Sequence, residues 1–237
     1  MIEYYDSNVI NTNIKALEAI GKGALYKRKV FQNIGKFSKR QIDILGGICG
    51  IVCLVPITIG AVAAKIIYKD KGPVFYTQER IGKDGKTFKM YKFRTMVVGA
   101  DELLEKLLEE DEEIRKEYTI NKKLKNDPRI TKIGKFLRKT SLDEFPQFIN
   151  VLKGEMSLVG PRPYLPREKK DMGDTYRYIV KCKPGLTGLW QVSGRSEISF
   201  KERLALDFDY YINKSFRGDI KLLLKTVGKL VKHEGAL

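Results

Sequence analysis

The hydropathy pattern is dominated by one long apolar run. From Ile44 to Ala64 the chain has 21 consecutive positions without a charged side chain. A helix of this length would reach roughly 30 Å, about the thickness of the hydrocarbon core of a bilayer. The pattern therefore predicts a membrane segment at residues 41–70, preceded by an N-terminal extension at 1–40 and followed by a domain at 71–237.

Two features argue against a simple crossing of the membrane. Pro56 lies near the middle of the run and removes the hydrogen bond that would close onto the Val52 carbonyl, a loss that is costly in lipid. Basic residues flank both ends, although such residues mark the cytoplasmic side. We therefore predict a re-entrant helix that breaks at Pro56 and returns to the same face. A spanning helix and a buried helix of a soluble domain are the alternatives. The basic flanks comprise Lys27, Arg28, Lys29, Lys36, Lys39, Arg40, Lys65, Lys69 and Lys71.

Beyond residue 71 the pattern mixes strand and helix signals. Two β-rich segments separated by Gly82-Lys83-Asp84-Gly85 predict a hairpin. Leucines at helical spacing predict one amphipathic helix over 101–117, a run with nine acidic and three basic side chains. Further helices are predicted around 130–139 and over 143–153, the latter ending at Gly154. The fold class is therefore α+β and rich in helix.

The C-terminal stretch combines an apolar stripe with lysines that lie largely off it. Such a helix suits the surface of an anionic membrane, and it suits packing on the domain equally well. The sequence leaves both interpretations open. The stripe is formed by Ile220, Leu223, Leu224, Val227, Leu230 and Val231, and the lysines are Lys221, Lys225, Lys229 and Lys232.

The composition narrows the chemistry. The chain has 45 Lys and Arg against 29 Asp and Glu, a formal net charge of +16, so polyanions are the expected partners: nucleic acid, anionic lipid or phosphate-bearing substrates. Its three cysteines form no metal-binding pattern, and its single histidine, His233, lies near the end. Histidine-based triads and His-rich zinc sites are therefore disfavoured, and catalysis would depend on carboxylates, Lys or Arg.

Asp143 and Glu144 are the candidate catalytic pair. A purely structural role is open, because Asp143 or Ser141 could cap the predicted helix and Glu144 could complement its dipole. The same helix N-terminus would also keep Asp143 ionised and nucleophilic. Two adjacent carboxylates repel each other, which favours a bound cation.

Several basic residues are candidate phosphate ligands. Arg162 lies in the turn Gly160-Pro161-Arg162-Pro163, and a guanidinium offers a rigid fork for phosphate oxygens. Each of these residues taken alone would more often be an ordinary surface residue, so the case depends on their occurring together beside the acidic pair. The candidates are Lys92, Arg94, Arg138, Arg162 and Arg195.

Five longer motifs resemble the bacterial sugar transferase family, the monotopic phosphoglycosyl transferases that begin glycan assembly on polyprenol phosphate. The motifs are DILGG, YKFRTM, DPRITKIGKFLRKTSLDEFPQ, NVLKGEMSLVGPRP and KPGLTGLWQVSGR, spread over residues 43 to about 213. The resemblance implies a location at the cytoplasmic face of the bacterial inner (plasma) membrane. It also implies the first membrane step of exopolysaccharide, capsule or lipopolysaccharide synthesis.

The resemblance implies a role for each candidate residue as well. Asp143 would attack the β-phosphorus of a UDP-sugar and expel UMP, and undecaprenyl phosphate would then take the phosphosugar. Glu144 would bind Mg²⁺, and the phosphates would be held by Lys92, Arg138, Arg162 and Arg195. The family usually breaks its re-entrant helix at Ser-Pro, whereas this chain has Val55-Pro56, so Thr58 or a neighbouring polar group is expected to satisfy the freed backbone. The GLWQVSGR motif looks more like that of hexose-type relatives.

Two readings from other classes stay open. A non-catalytic basic module could bind membrane surfaces or nucleic acid, although no recognised nucleic-acid motif is present and we do not expect nucleic acid as a partner. An inactive scaffold within a glycan-assembly complex is the other reading, and the intact Asp143-Glu144 pair argues against it. Anionic membrane lipid is an expected partner, and a homodimer is left open.

Overall fold

The computed structural model describes residues 22–70, 72–121, 124–194 and 198–231. The predictions for Arg195 and for the first part of the N-terminal extension therefore lie outside the described residues. The strands are β1 (Phe75–Ile81), β2 (Thr87–Phe93), β3 (Ser157–Val159) and β4 (Gly185–Thr187). The helices are α1 (Lys22–Ile67), α2 (Ala100–Glu110), α3 (Glu112–Asn121), α4 (Lys132–Lys139), α5 (Gln147–Lys153), α6 (Tyr176–Ile179), α7 (Leu189–Ser193), α8 (Phe200–Asn213) and α9 (Phe216–Val231).

The apolar run lies within α1, a helix of 46 residues. Its stretch Phe37–Ile67 is long and apolar enough to cross a membrane, by length and composition. The helix continues through Pro56, so the predicted break does not interrupt the secondary structure, and the return to the same membrane face stays a prediction. The Thr58 hydroxyl donates to the Leu54 carbonyl at 2.8 Å and not to the Val52 carbonyl, which Pro56 leaves without its usual donor.

The helix α1 has two different long faces. One face packs on the rest of the protein, and Leu54 and Ala61 are buried there in a cluster with Phe93, Ile133 and Leu137. A Cβ added at Gly50 would lie 2.2 Å from the Phe148 ring, so only glycine permits this close approach to α5. The opposite face exposes the apolar side chains Leu45, Ile48, Val52, Val55, Ile59 and Ile66.

Polar contacts attach both ends of this packed stretch to the same body. Near its start, Arg40 donates to the Val151 and Leu152 carbonyls at the end of α5, at 2.7 and 2.8 Å. Asp43 accepts from the Ser157 hydroxyl and the Leu158 N–H, at 2.9 and 2.8 Å.

At the other end of the stretch, Lys65 pairs with Asp70 at 2.9 Å. Asp70 also pairs with Arg94, just after β2. The domain therefore contacts α1 along the whole apolar run.

The predicted hairpin is confirmed. β1 and β2 pair in antiparallel register, with Tyr76 opposite Lys92 and Arg80 opposite Phe88. A 3₁₀ turn at Lys83–Gly85 joins them. β3 and β4 form a second, parallel pair. With these two small sheets among many helices, the helix-rich α+β class is confirmed for the described residues.

The acidic segment differs from the prediction of one helix. It forms two helices, α2 and α3, which are separated at Asp111. The Asp111 carboxylate accepts from the N–H groups of Glu113 and Ile114, at 2.8 and 3.0 Å. The side chain thus starts a new helix, because it satisfies N–H groups that have no partner within α3.

The predicted helix over 143–153 begins later than expected. Residues Leu142–Glu144 form a 3₁₀ turn, and α5 starts at Gln147, after Pro146. Asp143 is therefore not the N-cap of α5, and the prediction of a cap there was wrong. The end is confirmed, since Gly154 takes the left-handed conformation at φ 81°.

The C-terminal helix α9 is confirmed and packs on the domain. Leu222 is buried in the main core with Met90, Val151 and Met156. Leu224 and Val227, which belong to the predicted stripe, are exposed instead. Its contact with a membrane stays a prediction.

Candidate functional site

Arg94 pairs with Asp70 near the end of α1, and the other described candidate residues fall into two neighbourhoods. We call Asp143, Glu144, Lys92 and Arg138 the carboxylate cluster. Arg162 lies apart from it, among residues that the sequence analysis did not single out. We call Arg80, Arg162 and Arg203 the arginine cluster.

The carboxylate cluster is built on the turn before α5. Ser141, at the start of this turn, has φ 56°, in the left-handed region. Leu142 and Phe145, on either side of the acidic pair, pack against the apolar cluster that includes Leu54 of α1. Asp143 is only 8% exposed. The turn thus holds a buried carboxylate close to the membrane-type helix.

Two cations face the acidic pair. Lys92, from β2, reaches Glu144 at 3.2 Å. Arg138, from the last turn of α4, donates through Nε to the Thr95 hydroxyl at 3.0 Å. Its charge and that of Lys92 both act on Asp143.

The electrostatics of Asp143 differ from the prediction. Burial raises the pKa of the Asp143 carboxyl to about 6, helped by the charge of Glu144 and opposed by Lys92 and Arg138. We predicted that a helix N-terminus would favour the ionised form of Asp143. This prediction was wrong, because α5 begins only at Gln147. With a pKa near 6, ionised carboxylate exceeds the acid about tenfold at pH 7. The carboxyl is thus mostly ionised at neutral pH although it is buried.

Arg138 is supported by groups that sequence reasoning did not identify. Asp127 and Arg129 form a buried bidentate pair, with contacts of 2.8 and 2.6 Å. A Cβ added at Gly134 would lie 1.9 Å from the Thr95 carbonyl oxygen, so α4 approaches this segment as only glycine allows. The motif DPRITKIG contains these residues: Asp127 and Arg129 pair with each other, and Gly134 permits the close approach to Thr95.

The arginine cluster is built on the Gly-Pro-Arg-Pro turn. The Arg162 N–H donates to Asp207 at 3.0 Å, and the Tyr164 hydroxyl donates to the same oxygen at 2.7 Å. The Arg162 guanidinium lies 5.0 Å from the centre of the Trp190 ring, within cation–π distance. Asp207, on α8, thus fixes the backbone of the turn, and Trp190 supports its side chain.

Burial dominates the electrostatics of this second cluster. Burial raises the pKa of Asp207 to about 7, although the bonds from Tyr164 and Arg162 oppose the shift. Burial, followed by the charge of Arg162, lowers the pKa of Arg80 to about 10. The pKa of Arg203 is lowered to about 10 for the same two reasons. Arg80, Arg203 and Asp207 had no periodic or motif signal of their own.

The hairpin links the two clusters. Antiparallel partners lie on the same face, so Tyr76, Lys92 and Arg80 share one face of the hairpin. Arg80 lies four positions after Tyr76, a distance of roughly 13 Å along a strand. Lys92 reaches the carboxylate cluster and Arg80 belongs to the arginine cluster.

The carboxylate pair has donors that suit magnesium. No group of three or more His, Cys, Asp or Glu side chains is close enough to hold a metal within the ranges that the structure describes. Mg²⁺, however, often takes only one or two carboxylates and completes its shell with water and substrate phosphates. Asp143 and Glu144 fit that requirement if a phosphate-bearing substrate supplies further oxygens.

Comparison with known proteins identifies relatives along most of the chain. The family model described as bacterial sugar transferase matches residues 34–233. The UDP-galactose-lipid carrier transferase of Erwinia amylovora is 45% identical over 212 residues, which cover 88% of this chain and 44% of that protein.

Two further relatives differ in length. The undecaprenyl-phosphate galactose phosphotransferase of Salmonella typhimurium is 45% identical over 204 residues, which cover 85% of this chain and 42% of that protein. The exopolysaccharide production protein ExoY of Sinorhizobium fredii is 39% identical over 203 residues and is covered over 89% of its length. The chain thus spans less than half of the first two relatives and most of the third.

Proposed function

Because the chain belongs to the bacterial sugar transferase family, we propose that it moves a sugar-1-phosphate from a UDP-sugar to undecaprenyl phosphate. Relatives are named for a UDP-galactose-lipid carrier reaction and for undecaprenyl phosphate, which supports both substrates. One observation carries the proposal: Asp143 is a buried carboxylate with a raised pKa, set between two cations on the turn that packs against α1.

In the first step Asp143 acts as the nucleophile. One carboxylate oxygen attacks the β-phosphorus of the UDP-sugar, a phosphorus–oxygen bond forms, and the bond to the bridging oxygen breaks. The electron pair of that bond leaves with UMP, and the phosphosugar stays on the aspartate. Burial withholds water from Asp143, so its charge is poorly solvated before the attack.

In the second step the lipid acceptor resolves the intermediate. A phosphate oxygen of undecaprenyl phosphate attacks the same phosphorus, and the bond to Asp143 breaks to regenerate the carboxylate. Two steps through the aspartate avoid one direct encounter between two anionic substrates.

The other members of the carboxylate cluster would offset the negative charge of the phosphates. Lys92 and Arg138 would stabilise the negative charge that develops on the phosphoryl oxygens, and both already lower the pKa of Asp143. Glu144, with Asp143 beside it, would hold Mg²⁺, which when bound offsets phosphate charge. Arg162 and Arg195 would bind phosphate oxygens of the substrates.

We further propose that α1 is embedded in the cytoplasmic leaflet and returns to the side from which it enters. Arg40 near one end and Lys65 near the other both contact the same domain, directly or through Asp70. A helix that spanned the bilayer would carry one end away from that domain. This placement supports a re-entrant path at the cytoplasmic face of the plasma membrane, with lipid against the exposed apolar face.

The test uses the purified protein in detergent with a panel of UDP-sugars and Mg²⁺. With donor but without acceptor, we expect about one UMP per protein and a mass increase of one phosphosugar. Asp143→Asn should show neither, and we expect Glu144→Gln to lower transfer by about 10³-fold or more.

Asp84→Asn is the matched control, because Asp84 is an exposed carboxylate in the hairpin turn. Full transfer by Asp143→Asn would refute the nucleophile. If no donor releases UMP, yet Asp143→Asn and the unaltered protein bind anionic vesicles or DNA equally, the non-catalytic module is correct instead.

A further inference from the structure

Gln147 is a buried polar side chain that the reaction described above does not use. It is the first residue of α5, and it is only 2% exposed. Within the part of the chain that the structure describes, its amide Nε2 is buried without a hydrogen-bond partner. Buried amide donors in proteins are nearly always paired, because water no longer serves as their acceptor. The free donor of Gln147 therefore requires an explanation.

A neighbouring amide shows that packing alone does not explain it. Asn150 lies about one turn farther along α5 and is fully buried. Its side chain accepts from the Tyr91 N–H at 3.0 Å, and it donates to the Lys89 carbonyl at 2.8 Å and to Glu155 at 2.7 Å. Asn150 thus attaches α5 to the edge of β2, and both sides of its amide are paired. Gln147 takes no part in this attachment.

The nucleophile lies about one turn before Gln147. Asp143 precedes it by four residues, and Phe145 and Pro146 between them both have helical backbone angles. Residues at this spacing lie on the same side of a helical segment. The turn Leu142–Glu144 and α5 both contact β2, and Asp143 and Gln147 are both buried. A donor without an acceptor therefore neighbours the carboxylate on which the phosphoryl group would be formed.

We propose that Gln147 is a further catalytic residue, whose Nε2 donates to an oxygen of the phosphoryl group that Asp143 attacks. This role rests on the proposed transfer reaction. The transferred phosphorus is joined to Asp143 through a single oxygen, so its other oxygens come close to a donor one turn away. Such a donor stabilises negative charge that develops on the phosphoryl oxygens.

Gln147 differs from the two cations of the site in when it acts. Lys92 and Arg138 act on the Asp143 carboxylate in the free protein. The Gln147 amide makes no hydrogen bond to Asp143 in the free protein, so it acts only when the phosphoryl group is present. The same phosphorus is attacked in both steps, and loss of the amide should therefore slow both UMP release and transfer to the lipid.

The experiment replaces Gln147 with leucine, which has nearly the same size and no donor. With a UDP-sugar that the unaltered protein accepts, we expect Gln147→Leu to lower kcat about tenfold or more. The acid limb of the kcat/KM profile should stay at the same pH, because that limb reports the nucleophile of the free protein. The free energy of unfolding in denaturant should be unchanged or higher, since an unpaired buried donor is removed.

Two other amides serve as matched controls. Gln41→Leu removes an exposed amide on α1 and should change kcat less than twofold. Asn150→Leu removes a buried amide that is paired, and it should lower the free energy of unfolding because the Tyr91 N–H and the Lys89 carbonyl lose their partner. Gln147→Met repeats the main test with another side chain that lacks a donor.

The outcomes separate this role from packing and from the reaction itself. A folded Gln147→Leu protein with kcat within twofold of the unaltered protein overturns the role of Gln147 and leaves the proposed reaction intact. Failure of both Gln147 variants to fold, or an acid limb that moves to higher pH, also overturns it, because the amide would then serve packing or the free carboxylate. If the unaltered protein releases no UMP from any donor, the proposed reaction itself is refuted.

Discussion

The carboxylate cluster and the arginine cluster each contain a buried charged group, and burial shifts the pKa values of these groups in opposite directions. In the first, burial raises the pKa of Asp143 to about 6 and leaves a poorly solvated anion beside Lys92 and Arg138. In the second, burial lowers the pKa of Arg80 to about 10 and leaves a poorly solvated cation. Under the proposed function, the first region supplies the nucleophile and the second binds phosphate. Variants of the first should change kcat, and variants of the second should change KM.

Among the variants that test this comparison, the largest effect is expected at Lys92. Lys92→Met removes a cation that lowers the pKa of Asp143, so at pH 7 less carboxylate is ionised and the phosphoryl charge is less stabilised. We expect kcat to fall about 100-fold. The acid limb of the kcat/KM profile, which we expect near pH 6 in the unaltered protein, should move to higher pH. UMP release at saturating donor measures kcat, and its dependence on donor concentration from pH 5 to 8 measures the acid limb of kcat/KM.

Lys89→Met is the control for this change. Lys89 lies on the same strand but is exposed on the opposite face of the hairpin. The Lys89→Met substitution should leave the acid limb of the pH–rate profile at the same pH as in the unaltered protein. A limb that stays near pH 6 in Lys92→Met would show that Lys92 does not act on the nucleophile.

A smaller effect is expected on stability when Asp143 becomes Asn. The folded pKa of about 6 lies above the ordinary value of 3.8, so the folded state holds the proton more tightly than the unfolded state. Ionisation therefore costs the folded state free energy, and this cost grows from about pH 4 to pH 6 and is full above pH 6. Asp143→Asn removes it and should raise the free energy of unfolding by about 1–3 kcal/mol at pH 7.5.

Denaturant unfolding in detergent at pH 7.5 and pH 4 measures this gain. The difference between the variant and the unaltered protein should vanish near pH 4, where the carboxyl is protonated in the folded state. Asp84→Asn, at an exposed carboxylate, should show no gain at either pH. A variant that is less stable than the unaltered protein at pH 7.5 would mean that Lys92 and Arg138 fully offset the burial.

The smallest effect is expected at Tyr164. Tyr164→Phe removes the hydroxyl that donates to Asp207 and leaves that carboxylate with the Arg162 N–H alone. The turn that carries Arg162 should then be held less firmly, so KM for the donor should rise about fivefold while kcat changes less than twofold.

Steady-state kinetics with varied donor separate the two parameters for Tyr164→Phe. Tyr178→Phe is the comparison, because Tyr178 is also buried but packs on Phe208 and Tyr211. It should leave KM unchanged. A fall in kcat at constant KM in Tyr164→Phe would remove the distinction between the two clusters.

The sequence predicted those features that depend on local patterns. The hairpin around Gly82–Gly85, the end of α5 at Gly154 and the C-terminal helix are confirmed, because turn residues and helical periodicity specify them. The prediction of one acidic helix was wrong at Asp111, where a side chain that can cap a helix outweighed the continuous leucine spacing. The family assignment from the motifs is confirmed by the match over residues 34–233.

The chemistry of the site was less accessible from sequence. The catalytic role of Asp143 and Glu144 stays a prediction, and the expected effect of a helix end on Asp143 was wrong, because α5 begins at Gln147 and burial raises the pKa of the carboxyl. The burial of Arg80 against the Pro163 carbonyl was not predicted, since strand alternation gives no sign of it. This contact joins positions 83 residues apart in the chain, and local sequence patterns do not predict contacts over such a separation.

The attachment of α1 at both ends limits how the protein can respond to its bilayer. A single free helix relieves a mismatch with membrane thickness by tilting on its own. Here Arg40 and the Lys65–Asp70 pair tie the helix to the body that carries Asp143. Any tilt must therefore rotate the whole molecule. A thicker or thinner membrane would change the angle between the catalytic domain and the headgroup plane. The distance between Asp143 and α1 would stay constant.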